Sequence, residues 1–237
     1  MDKVELIIEE GEVGKLKENI QQQGLVVASI NGPENFNLLQ DDEFSIVLER
    51  TRKLASAATE LGCNLLVPVP SARKKPNSKE IVQECAHAFN SLAEACGKNV
   101  RVGLEFLGMA ECSINNLATA NEVVNEISRE NVGLVIDSFH MHLSETAFTE
   151  IAKIRENRVF LVHVNDSEEG DTKKLTDANR LFPGEGVIDL TAFKTNLAGA
   201  RYDGYISLEL LRPSYWERDP RQIASAGRES LKRTFGI

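Results

Sequence analysis

The chain has 237 residues, 42% of them hydrophobic and 27% charged, with a formal net charge of −9 at pH 7. That length and apolar content suffice for one large core, and the acidic balance argues against nucleic acid or an anionic membrane surface as partner. There is no apolar run long enough to span a bilayer, and residues 1–10 (MDKVELIIEE) carry no basic start followed by a small-residue cleavage site, so a cytoplasmic protein with a small-molecule partner is expected.

Apolar runs of strand length alternate with segments of helical period. The expected strands cover 4–8, 25–30, 64–70, 101–106, 132–139, 159–166 and 204–210. The expected helices cover 13–23, 42–61, 78–96, 116–128, 145–155, 190–197 and 221–234. Asp41 and Asp42 mark the start of the second helix and Asn116 that of the fourth, because short polar side chains accept the unpaired N–H groups of a first turn. This rhythm implies right-handed crossovers and a parallel sheet. No linker-like stretch interrupts it, so residues 1–237 are expected to form one domain. The four cysteines, Cys63, Cys85, Cys96 and Cys112, show no CxxC spacing and are expected to be reduced, structural thiols.

An open doubly wound sheet and a closed (β/α) barrel both fit the rhythm. The open sheet usually carries a glycine-rich phosphate turn after its first strand, but residues 10–14 (EGEVG) lack the GxGxxG spacing and no P-loop occurs. Four polar residues favour the barrel: Glu105, Asp137, His163 and Glu209 each stand near the end of a separate apolar run. Barrel strand ends converge on one mouth, where active sites are built. Parity agrees. Val102, Leu104 and Phe106 alternate with Gly103 and Glu105, and Ile206, Leu208 and Leu210 alternate with Ser207 and Glu209. The apolar sets then pack on helices and the quartet faces inward. Buried carboxylates and imidazoles are costly unless paired, and one divalent metal ion pairs with all four. The oxygen-rich set suits Mn²⁺, Mg²⁺, Co²⁺ or Zn²⁺. Its three carboxylates leave a divalent site near −1, so the ion keeps the Lewis acidity to polarise a ketone.

The stretches 103–108 (GLEFLG), 131–140 (NVGLVIDSFH), 163–166 (HVND), 179–189 (NRLFPGEGVID) and 207–213 (SLELLRP) carry a family likeness. In combination and order they resemble the xylose isomerase-like TIM barrels, a family of sugar-phosphate isomerases and epimerases that also includes endonuclease IV. Within it the inosose (2-keto-myo-inositol) isomerase group is the most similar. The resemblance implies a TIM-type (β/α) barrel with one divalent metal ion held by Glu105, Asp137, His163 and Glu209. It further implies isomerisation or epimerisation of a keto polyol or keto sugar through a cis-enediolate, with Glu105 and Glu209 as acid and base, and substrate contacts from His140 and Arg180. It leaves a homo-oligomer open.

Lesser expectations attach to other residues. Gly184 and Gly186 are expected to permit a tight turn over the mouth. Asp166 is expected either to orient a metal ligand from behind or to lie at the surface. Arg212 and Trp216 are expected to wall the pocket or cap the barrel, and His87 and His142 to be structural or exposed. Seven strands are read where the family has eight, so the family's first strand is expected to be absent, leaving strands 4–8 and 204–210 separated by about two inter-strand spacings, roughly 9–10 Å. Two other readings stay open: a dehydratase on the same scaffold, and an impaired barrel that binds metal or ligand without turnover. Four histidines are too few for a trinuclear site of the endonuclease IV kind.

Overall fold

The alternation of apolar runs with helical segments is what the backbone adopts in the computed structural model, which describes residues 12–73 and 78–236. Helix α1 (Val13–Gln22) leads to β1 (Ile30–Glu34), followed by α2 (Asp41–Leu61), β2 (Leu65–Val69), α3 (Ser78–Cys96), β3 (Arg101–Glu105), α4 (Leu117–Asn125) and β4 (Val132–Asp137). Then come α5 (Ser138–Leu143), a 3₁₀ turn (Phe148–Lys153) and β5 (Val159–Val164). A short ribbon of β6 (Asp166–Ser167) and β7 (Arg180–Leu181) precedes α6 (Leu190–Gly199), β8 (Ile206–Leu208), α7 (Pro213–Trp216) and α8 (Pro220–Phe235).

Six strands pair in the order β1-β2-β3-β4-β5-β8, every pair parallel, while β6 and β7 pair antiparallel. The sheet curls as a half-barrel, the TIM-type architecture expected. Parity sorts its two faces. Val102, Leu104, Leu134, Ile136, Val162 and Val164 join helix residues in the main core. Leu65, Val67, Val135 and Leu161 form a separate apolar plug on the inner face. Each such side chain contributes about 1.5–3 kcal/mol by leaving water, so a one-residue slip of any strand would be strongly penalised. The four cysteines are free and buried, and burial pushes the Cys96 thiol up to about 12, which keeps it inert. No helix among the described residues is long and apolar enough to cross a membrane.

Several expected boundaries move, and three of the changes have a local cause. The strand expected at 25–30 instead occupies Ile30–Glu34, in register Ile30↔Leu66 and Asn31↔Val67 with β2. Leu25 and Val26 are 63% and 73% exposed, so their apolarity does not mark a strand. The sequence INGPE reads poorly as one because of its Gly-Pro pair, yet Pro33 falls where the register shifts and an N–H is not needed. The strand expected through 139 stops at Asp137, whose carboxylate accepts the Phe139 N–H at 2.6 Å and starts α5. The helix expected at 145–155 is a 3₁₀ turn, because Glu145 takes a left-handed φ of 52° and breaks the run. Asn116 caps α4 as expected, accepting the Thr119 N–H at 2.9 Å. The strand expected at 4–8 lies outside the described residues.

The ribbon fixes the loop that follows β5. Buried Asp166 accepts three backbone N–H groups, from Ser167, Gly184 and Ile188, each at 2.9 Å. Gly184 has φ 85°, and a Cβ at Gly186 would collide with the Ser167 carbonyl and the Asp166 carboxylate, so both glycines are required where they stand. Asp166 therefore pins the turn instead of reaching the quartet. Asp166→Ala would leave the buried Ile188 N–H and the more open Gly184 N–H without their partner, and we expect a loss of about 1–3 kcal/mol in urea unfolding. Hydrogen exchange should accelerate first at those two amides.

Candidate metal centre

Glu105 ends β3, Asp137 ends β4, His163 lies in β5, and Glu209 follows β8, with its own N–H donating to the Val164 carbonyl at 3.2 Å. Asp137 and His163 are register partners. Glu105 pairs with Val135, two residues below Asp137, and Ser207, two residues before Glu209, pairs with His163. The four are therefore staggered along the strands, not level. The tilt of barrel strands brings such a staircase together. One ligand atom from each residue lies within 4.8 Å of all the others. Donors about 2.0–2.4 Å from a common ion are at most about 4–4.8 Å apart, so the set fits a single ion. Glu105, Asp137 and His163 are buried and Glu209 is partly so. This is a carboxylate–histidine group able to hold a metal ion.

The chain also supplies its own positive charge here. His163 Nδ1 lies 2.8 Å from Glu105 Oε1 and 3.6 Å from Glu209 Oε2. Burial alone would lower the imidazole, but Glu105 and then Glu209 overcome it and raise His163 to about 10. Burial, reinforced by Glu105, pushes the Glu209 carboxyl up to about 8. Asp137 behaves oppositely. Its burial would raise it, but Arg180 first, and then His163, hold it below the usual carboxylate range.

Arg180, brought in by β7, is fully buried. Its Nη1 lies 2.5 Å from Asp137 Oδ2 and 3.2 Å from Glu209 Oε2, and its Nε donates to Asp177 at 2.7 Å. The guanidinium also stacks 4.8 Å from the centre of the Phe139 ring. Its Nη2 is 3.3 Å from His140 Nε2, which must accept because a guanidinium only donates. That makes His140 a neutral imidazole with its proton on Nδ1, and burial lowers its basicity in the same sense. Both residues border the cleft, with His140 packed behind Arg180.

Asn165 was missed by the sequence reading. Its amide donates to Asp137 at 3.1 Å and to the Glu209 carbonyl at 3.3 Å, while Ser138 and Asn165 exchange hydrogen bonds. Its position two residues beyond His163 on the same strand face was the available signal. Arg212 and Trp216 do not wall the pocket. Arg212 pairs with Glu168 at 2.7 Å, and Trp216, 64% exposed, donates to the Leu210 carbonyl. His87 is exposed and His142 half-buried. Above the quartet opens a cleft of about 290 Å³ whose wall includes Asn31, Glu34, Glu105, Arg180 and Glu209.

The chain is similar to several known proteins. The inosose isomerase of Halalkalibacterium halodurans is 28% identical over 232 residues, covering 97% of this chain and 82% of that protein. A 3-dehydroshikimate dehydratase of Pseudomonas aeruginosa is 27% identical over 187 residues, covering 78% of this chain and 29% of that protein. Among solved structures, the IolI protein with a bound zinc atom superposes with a TM-score of 0.93 at 26% identity, covering 100% of this chain and 87% of that one. The family model described as xylose isomerase-like TIM barrel matches residues 6–234. With that match spanning almost the whole chain and the polar quartet gathered at its strand ends, the chain belongs to the xylose isomerase-like TIM barrel family, as an enzyme of isomerase/epimerase type.

Proposed function

We propose that the protein isomerises or epimerises a keto polyol or keto sugar, an inosose being the best candidate. Glu105, Asp137, His163 and Glu209 hold one divalent ion, Zn²⁺, Mn²⁺, Co²⁺ or Mg²⁺. The observation that carries this reading is the gathering of four ligand atoms within 4.8 Å, with two of their residues, Glu105 and Glu209, lining an open cleft. The similarity to inosose isomerase and to a zinc-containing fold relative supports the substrate class and the metal.

When bound, the ion polarises the substrate ketone and stabilises the charge that develops on its oxygen. The chain's residues do the rest. Glu105 at the end of β3 and Glu209 just after β8 both approach His163 Nδ1. One carboxylate removes the proton from the carbon beside the carbonyl and the other returns a proton, through an enediolate of the substrate. Arg180 steadies Asp137 and Glu209, and His140 and Asp177 hold Arg180 in place. The dehydratase relative keeps elimination from a cyclic keto acid as the second reading.

Metal analysis followed by deuterium exchange on keto polyols tests the proposal. We expect one divalent ion per chain and solvent deuterium entering beside the carbonyl of an inosose. A bound metal with no exchange on any keto polyol or keto sugar would overturn it. Glu105→Gln and Glu209→Gln should each lower kcat by about 10²–10⁴-fold, the usual worth of a general acid or base, while His163→Ala should abolish metal retention in dialysis.

Metal uptake should also release protons. His163 is raised to about 10 and Glu209 to about 8 in the metal-free protein, so both carry a proton at pH 7 and must lose it to become ligands. Affinity should therefore rise with pH between 6 and 8. Calorimetry in buffers of different ionisation heat counts the protons, and a pH-independent affinity with no proton release would contradict the assignment.

A further inference from the structure

The corrected position of β1 changes what faces the cleft. Asn31 pairs with Val67 and Glu34 with Val69, and Val67 belongs to the inner-face plug, so both polar residues lie on the inner side of the half-barrel. They are three positions apart, which an uninterrupted strand would send to opposite faces. The register shift between them re-aims Glu34, the kind of adjustment a bulge makes near a site. Both are exposed, and both border the same cleft as Glu105 and Glu209. Neither side chain has a hydrogen bond or ion pair among the described residues, in contrast to Asp137, Asn165 and Arg180.

β1 and β8 are the two ends of the described sheet, so Asn31 and Glu34 stand at the other end of the strand order from Glu209. An amide offers a donor and an acceptor, and a carboxylate offers acceptors only. Such a pair matches hydroxyl groups and repels a carboxylate or phosphate. The charge of the cleft points the same way. Glu105 and Glu209 are assigned to the ion and Asp177 pairs with Arg180, so Glu34 is the cleft carboxylate left to face a ligand, with Arg50 also in the lining. Arg180 is already committed to Asp137, Asp177 and Glu209.

We propose that Asn31 and Glu34 are specificity-determining residues that bind hydroxyl groups at the end of the substrate remote from the ketone, so that the cleft selects neutral polyhydroxylated ketones over anionic ones. This rests on the keto-polyol reading above and narrows it. It also separates the two open chemistries, because the dehydratase substrate is a ring ketone bearing a carboxylate and an inosose is a ring ketone bearing only hydroxyls.

The test measures binding of 2-keto-myo-inositol and of 3-dehydroshikimate to the zinc-loaded full chain by calorimetry, for wild type, Glu34→Gln and Asn31→Ala. Wild type should prefer the neutral ring by about tenfold or more, as expected from one nearby like charge. Glu34→Gln keeps size and shape but removes the charge, so it should tighten 3-dehydroshikimate and shrink the preference by about tenfold. Asn31→Ala should weaken the neutral ring by about fivefold, the worth of one hydrogen bond, and raise KM with little change in kcat. Thermal unfolding checks that both variants fold, and Glu34→Asn serves if Glu34→Gln does not. If wild type binds and exchanges deuterium while both variants match it for both ligands, the wall assignment fails and the catalytic reading stands. A wild-type preference for 3-dehydroshikimate would also overturn the wall. If the zinc-loaded wild type binds neither ketone, the keto-polyol reading fails and the wall falls with it.

Discussion

Three carboxylates gathered in one largely buried space are the constraint on which the rest of the structure depends. Their mutual repulsion and loss of water would unfold the strand ends without compensating positive charge. The chain provides two cations, the imidazolium of His163 nearest Glu105 and the guanidinium of Arg180 nearest Asp137, and both also reach Glu209. Asp137 stays ionised beside Arg180, while Glu209, between Glu105 and a shared arginine, is pushed toward its neutral form. Similar side chains thus enter different states through their neighbours alone.

The quartet was readable in the sequence because strand alternation is strict. A polar residue at an inward position of a strand otherwise made of Val, Leu and Ile has nowhere else to point, and four such positions in succession specify a mouth. The level at which they meet was not readable. Glu105 sits two residues below Asp137 in register and reaches it through strand tilt, a property of the curled sheet and not of any one strand. The helices were read well where their apolar faces are long, as in Ser78–Cys96. Reading failed at Ile30–Glu34, where a Gly-Pro pair and two polar residues break the apolar alternation of a strand, and at Ser138–Leu143, where the side chain of Asp137 started a helix directly on a strand end.

Arg180 shows a different limit. Its sequence neighbourhood suggested a substrate contact, and the cleft does border it, but its nearest partners are carboxylates of the quartet. Long-range charge pairs leave no local periodicity. They become visible only when the loop that carries them is placed, and here Asp166, Gly184 and Gly186 do the placing.

The dispersal of the quartet along the chain bears on how the protein folds. Glu105 and Glu209 are 104 positions apart, and Arg180 reaches the centre only after the β6–β7 ribbon has closed. Contacts of such sequence separation form late, because the intervening chain must be ordered first. A nascent or partly folded chain therefore carries no assembled quartet, so an ion that needs all four ligands can be held only by the folded chain.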